Sequence, residues 1–287
     1  MSEKHIDELS GIETTGHEWD GIKELNNPLP RWWVWTFYAT IVWALAYTIF
    51  YPAWPMLSSA TTGVLGYSSR NDVKAELAAA VAAKGEMAAA VAAKPIDEIL
   101  ADEKLRTFAI SAGAAAFKVN CVQCHGSGAA GSPGYPNLND DDWLWGGKPE
   151  DILTTISHGI RFASDDATRF SEMPPFGETL DKDQIAQTAA YVVSLSGTPE
   201  NPSLVEAGKA VFTENCAACH GEDAKGLRDF GAPNLTDAIW LRGSGEAAII
   251  AQISGPKHGI MPAWAGRLGE STVKELTVYV HSLGGGE

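Results

Sequence analysis

Apolar residues are distributed along this chain in three regimes. Residues 32–51, WWVWTFYATIVWALAYTIFY, run for 20 positions without a charge. At about 1.5 Å per residue a helix of that length spans about 30 Å, the hydrocarbon thickness of a bilayer. Trp32, Trp33 and Trp35 crowd one end, and Tyr51 and Trp54 mark the other, as aromatic belts do at membrane interfaces. Residues 73–94 are almost all strong helix formers and carry AAAVAAK twice, at 78–84 and 88–94. They predict a semi-rigid helical spacer, not a core element, ended by Pro95. Beyond it, helical apolar spacing recurs over Ile99–Asn120, Lys182–Leu195, Ser203–Asn215 and Glu270–Leu283, between loops rich in Gly and Pro. The pattern predicts an all-α chain: leader 1–31, transmembrane anchor 32–54, spacer 55–98, then two helical domains at 99–198 and 199–287.

The two domains repeat each other. At an offset of 95 residues, the step from Cys121 to Cys216, Gly113 aligns with Gly208, Phe117 with Phe212 and Asn120 with Asn215. Trp143 and Trp240 correspond, as do His158-Gly159-Ile160 and His258-Gly259-Ile260. The first copy then inserts 12 residues, 161–172, before its Met-Pro pair. Register returns at Tyr191-Val192-Val193-Ser194-Leu195 against Tyr279-Val280-His281-Ser282-Leu283. Self-similarity of this kind means two homologous units. They are joined by the short, Pro-bearing linker 197–202, which predicts a restricted separation.

Each unit carries Cys-x-x-Cys-His, at Cys121, Cys124, His125 and at Cys216, Cys219, His220, and these motifs use all four cysteines. The spacing suits covalent c-type haem, each thiol adding to one vinyl group and the adjacent His binding iron. Zinc and a redox dithiol are the competing readings. Zinc prefers four N/S ligands in one site, and a redox Cys-x-x-Cys has no need of the following His. Two haems need two sixth ligands. Met173 and Met261 are the only methionines after the motifs, and each precedes a proline, which fixes an extended loop able to aim a thioether. The expectation is one His/Met pair per domain, His125 with Met173 and His220 with Met261; His158 and His258 compete for the sixth position. His/Met ligation fills both axial positions and favours electron transfer over ligand chemistry. Trp143, Trp145, Trp240 and Arg242 read either as neighbours of the haem edge and propionates or as ordinary packing.

Charge adds an orientation. Lys23 and Arg31 precede the apolar span, and the next basic residue is Arg70, so the positive-inside rule keeps the leader cytoplasmic and the haem domains outside, in a Gram-negative periplasm. A cleaved signal peptide would want a short basic leader; this one is thirty residues long and acidic. The whole chain has a formal net charge of −15. Such a surface argues against nucleic acid and suits a basic soluble partner. Thr36, Thr40, Trp43 and Tyr47 share one helix face, a packing face for partner helices or a lipid-facing stripe.

The repeated unit resembles the class I cytochrome c fold. That resemblance implies terminal helices crossing at a Gly/aromatic contact, with Gly113, Gly208, Tyr191 and Tyr279 as participants, and a Pro carbonyl (Pro136, Pro233) holding each proximal His. The leader, with Gly16-His17-Glu18-Trp19-Asp20-Gly21-Ile22 and Asn26-Asn27-Pro28-Leu29-Pro30-Arg31, together with the single span and two His/Met domains, resembles the diheme subunit III of cbb3-type cytochrome c oxidase. The resemblance implies a non-catalytic electron-input subunit. It would take electrons from a soluble or membrane-bound cytochrome c and pass them to a monohaem cytochrome subunit and the haem–copper subunit that reduces dioxygen. A free-standing anchored diheme carrier is the alternative, and a diheme peroxidase a third.

Overall fold

The computed structural model describes residues 5–287. Apart from one hairpin it is helical, and it divides into two units, 1–82 and 83–287.

In the first unit, β1 (Thr14–Trp19) pairs antiparallel with β2 (Ile22–Leu25). The connecting Asp20-Gly21 has φ of 49° and 85°, the left-handed pair that a two-residue hairpin loop demands. The all-α expectation missed this hairpin, although Asp-Gly between Trp19 and Ile22 is its sequence signal. The helix α1 (Arg31–Phe50) follows Pro30 and is long and apolar enough to cross a membrane. Its threonines bond back to their own helix: Thr36 Oγ1 to Trp32 O (2.9 Å) and Thr40 Oγ1 to Phe37 O (2.7 Å). Those hydroxyls are therefore satisfied without a partner helix.

The helix α2 (Ser69–Ala93) is the expected spacer, but its last turns are not a bare linker. Val91 is fully buried with Ile96 and Ile99 of α3 (Ile96–Ala101), Leu105 and Ala109 of α4 (Glu103–Asn120), and Val278. Lys274 is nearly buried and donates from Nζ to Ala92 O (2.6 Å) and Lys94 O (2.9 Å), capping the carbonyl end of α2. The single helix expected over 99–120 is two: Asp102 accepts from the backbone N–H groups of Lys104 and Leu105 and starts α4 afresh.

The repeats then appear element for element. The first has α4, α5 (Val122–His125), α6 (Pro149–His158) and α7 (Lys182–Ser194). The second has α8 (Val205–Asn215), α9 (Ala217–His220), α10 (Glu246–Ser254) and α11 (Ala265–His281). They do not close on themselves. Helix α4 packs on α11, and α7 packs on α8. A side chain at Gly113 of α4 would press into the backbone of Glu275 and Tyr279 Cβ; one at Gly208 of α8 would press into Gln187 and Tyr191 Cβ. Phe117 meets Tyr279 at 5.4 Å, and Phe212 meets Tyr191 at 5.2 Å. The terminal-helix crossing implied by the resemblance is present twice, each time with its partner drawn from the other repeat.

Two lobes result, both within the unit 83–287. The first is built on Phe117, Ile152, Ile156, Val273, Leu276 and Val280; the second on Ile185, Tyr191, Val192, Phe212, Ile249 and Ile253. Segment 197–202, expected to tether two domains, is instead the turn between the paired helices α7 and α8 of one lobe. The chain crosses between lobes at 159–173 and 254–261. There Ile160 and Met261 exchange backbone hydrogen bonds of 2.9 and 3.0 Å. The boundary at residue 198 therefore separates sequence repeats and not packed bodies.

Candidate haem site

Each Cys-x-x-Cys-His is folded the same way. A long helix ends at the first Cys, whose backbone N–H still bonds the Phe four residues back: Cys121 to Phe117 O (2.9 Å), Cys216 to Phe212 O (2.8 Å). A single further turn then brings the second Cys and the His round to the same wall. His125 Nδ1 lies 3.2 Å from Pro136 O, and His220 Nδ1 lies 3.2 Å from Pro233 O. Bonding to a carbonyl makes Nδ1 the protonated nitrogen and leaves Nε2 with its lone pair for a metal. Burial lowers both histidine pKa values, which favours the neutral, ligating form. Burial, with a lesser contribution from the neighbouring Cys124 or Cys219, pushes Cys121 and Cys216 up to about 11, so these thiols are uncharged at neutral pH.

All eight sequence-predicted residues line one apolar cavity of about 470 Å³: Cys121, Cys124, His125, Met173, Cys216, Cys219, His220 and Met261. The lobes divide them in a way that the repeat did not suggest. Met261 packs against the core of Phe117, Ile152 and Ile156, which Cys121 and Val122 also border, on the His125 side. Met173 packs with Phe212, Cys216, Val192 and Ile253, on the His220 side. The within-repeat pairing of His125 with Met173 and His220 with Met261 is thus not the one that the packing favours. The competing histidines are engaged otherwise: His158 Nδ1 lies 3.2 Å from both Asp165 carboxylate oxygens, and His258 Nε2 lies 3.2 Å from Met173 O.

The donor set fits c-type haem and fits a tetrahedral metal poorly. Each side offers two thiols, one imidazole with a free Nε2 and one thioether, arranged on apolar walls. Thioether is a poor zinc ligand and a good haem-iron ligand. Trp143 and Trp240 pack against the first and second cores respectively. Trp145 is buried and passes from the first repeat onto Gly231 of the second, with Arg169 stacked over it at 5.6 Å. Arg161, which the sequence did not single out, also lines the cavity, beside Arg242.

Comparison with known proteins follows the same division of the chain. Residues 11–58 match the N-terminal domain of cytochrome oxidase-cbb3, FixP, and residues 108–192 and 203–280 match the family of cytochrome c oxidase, cbb3-type, subunit III. The chain is 66% identical over 284 residues to the cbb3-type cytochrome c oxidase subunit FixP of Sinorhizobium medicae, covering 99% of this chain and 98% of that one. It is 53% identical to subunit CcoP of Cereibacter sphaeroides over 96% and 95% of the two chains. It is 54% identical to subunit FixP of Bradyrhizobium diazoefficiens over 98% of each. Leader, span and both repeats are accounted for together, and the chain belongs to the subunit III family of the cbb3-type cytochrome c oxidases.

Proposed function

We propose that this subunit holds two covalently attached haem c groups and serves as the electron input of its oxidase. It accepts electrons singly from a cytochrome c donor and passes them toward the monohaem cytochrome subunit and the haem–copper subunit. Cys121 and Cys124, and Cys216 and Cys219, would hold the two haems through thioether bonds, each sulfur taking one vinyl carbon and the thiol proton the other. Bound haem supplies a one-electron iron couple. The exchanged packing supports His125 with Met261 and His220 with Met173 as the pairs that would hold the two irons. Pro136 and Pro233 fix the imidazole planes, and the apolar walls keep water from the iron. No group on this chain is assigned oxygen chemistry. The helix α1 anchors the chain as a single membrane span with the leader in the cytoplasm and both lobes in the periplasm, supported by Lys23 and Arg31 before the span.

The single observation that carries the reading is one cavity lined by two Cys-Cys-His-Met sets in a chain of this family. Gentle purification of the tagged chain from its native membranes tests it. Two c-type haems per chain, with co-purifying b-type haem, copper and oxygen consumption driven by reduced cytochrome c, are expected. A c-type spectrum alone, unchanged in milder detergents, would instead identify a free-standing carrier.

A further inference from the structure

At the seam between the lobes lie two guanidinium groups: Arg242, which the sequence offered as a propionate neighbour, and Arg161, which enters only with the structure. Arg161 opens the 12-residue insertion of the first repeat and is held in a left-handed backbone conformation, φ 51°, uncommon for a side chain of its kind. Its Nε donates to Gly259 O and its Nη1 to Ser171 O, both at 2.8 Å, so segments from both crossings hold it. Arg242 comes from the second repeat and reaches back onto the first: its guanidinium lies against Gly134, where a side chain would sit 3.1 Å from Nη1. Both line the cavity. Among the described residues, neither forms an ion pair. Each acts on the other as a like charge, and Glu172 offsets Arg161 only through space.

Arg161 is half-buried and Arg242 exposed, and two cations lining one apolar cavity repel each other unless an anion joins them. Arginine's planar fork matches a carboxylate in two-point contact, and three of Arg161's five N–H donors remain unspent. The anions that this cavity would receive are known from its chemistry: a haem carries two propionates on the edge opposite the vinyl groups that the cysteines take. We infer that Arg161 and Arg242 form a shared clamp for the propionates of both haems, one arginine from each repeat, and so set the potentials of the two centres together. This rests on the reading that both lobes carry haem.

Positive charge near iron favours the ferrous form, so removing either guanidinium shifts the equilibrium toward ferric. The test is a potentiometric titration of the purified oxidase complex carrying Arg161→Asn, Arg242→Gln, Arg161→Lys or Arg242→Lys, with haem content measured on each. Asparagine tolerates the left-handed conformation at 161, which separates charge from backbone. On the order of a tenfold shift toward ferric is expected in both haems for each neutral variant, equivalent to about 59 mV for one electron. The lysine variants should retain most of the wild-type potentials. Unchanged potentials in Arg242→Gln, a shift confined to one haem, or lysine variants as low as the neutral ones would overturn the clamp. Arg242 is exposed, so Arg242→Gln decides the matter even if Arg161→Asn does not fold. Fewer than two haems in the wild-type chain would instead remove the reading on which the clamp rests.

Discussion

The exchange of helices between the repeats is open to a direct energetic test. Phe117 and Tyr279 pack at 5.4 Å with planes tilted by 58°, and Phe212 and Tyr191 at 5.2 Å with a tilt of 55°. Such aromatic pairs contribute about 0.5–1.5 kcal/mol beyond the area that they bury. Both phenylalanines are almost fully buried, so Phe117→Leu and Phe212→Leu each destabilise by about 1–3 kcal/mol through lost contact and imperfect refilling. The informative quantity is the coupling in a double-mutant cycle. With Tyr279→Leu, Phe117→Leu should show an interaction energy of about 0.5–1.5 kcal/mol. With Tyr191→Leu, the same substitution should be additive to within about 0.5 kcal/mol, because the two residues lie in different lobes. Phe212 should show the mirror-image result. Guanidinium unfolding of the full chain in detergent, followed by far-UV circular dichroism, supplies the free energies. Coupling of Phe117 to Tyr191 with none to Tyr279 would refute the exchanged architecture, and with it the crossed axial pairing.

Two further outcomes follow from charged groups. Lys274→Met keeps the aliphatic stem but leaves Ala92 O and Lys94 O without their charged donor; each such bond is worth about 1.5–3 kcal/mol, partly recovered by water, so a loss of about 2–4 kcal/mol is expected. Hydrogen exchange should accelerate over residues 83–94 and in α11, and unchanged protection there would sink the cap. Asp142 is raised to about 6, first by burial and then by Asp237, Asp140 and Asp141. Its folded pKa lies above the unfolded value, so the folded state binds more protons between about pH 4 and 6, and stability falls as pH rises through that window. The group is about half exposed, so solvent screening limits the effect to about 1 kcal/mol or less. Asp142→Asn should be more stable than wild type above pH 6 and equal to it near pH 4; equal pH profiles would contradict the assignment.

Much of this architecture was legible because its signals are local. A twenty-residue uncharged run, Cys-x-x-Cys-His and an internal offset of 95 residues each declare themselves within a short window. The Asp20-Gly21 turn was equally local and could have been read from the same rules. Val91 was less legible: in a stretch of alanines its burial depends on Ile96, Ile99 and Val278, which no periodicity within 73–94 reveals. The exchange could not be read at all from the repeat, and for a physical reason. Gly113 and Gly208 offer the same groove, and Tyr191 and Tyr279 the same ridge, so either pairing satisfies the pattern. What distinguishes them lies in the crossings. Gly159, at φ 70°, admits the backbone of Pro262 and Ala263 where any side chain would collide. The insertion 161–172 folds back on itself, Arg161 N–H to Arg169 O at 2.8 Å and Arg169 N–H to Gly159 O at 3.2 Å, and leads on to Met173 beside the second core.

The exchange changes what holds the two Cys-Cys-His-Met sets together. Two domains on a six-residue tether would sample a range of separations, and each electron passed between them would await a favourable approach. Here two crossings of the chain, at 159–173 and 254–261, join the lobes instead. The pairs α4–α11 and α7–α8 each lie within one lobe, but to part the two repeats α11 must leave α4 and α7 must leave α8, exposing Phe117, Phe212, Leu276 and Val278 among others. At about 1.5–3 kcal/mol for each large side chain, that approaches the whole stability of a domain. The Ile160–Met261 bridge and Arg161 across Gly259 close the seam from the polar side. Parting the repeats and unfolding therefore become the same event, while the seam between the lobes is held by the two crossings and their backbone hydrogen bonds. A relay subunit gains from this arrangement what a single tether cannot give: two crossings of the chain between its paired sites, bonded to each other at Ile160 and Met261.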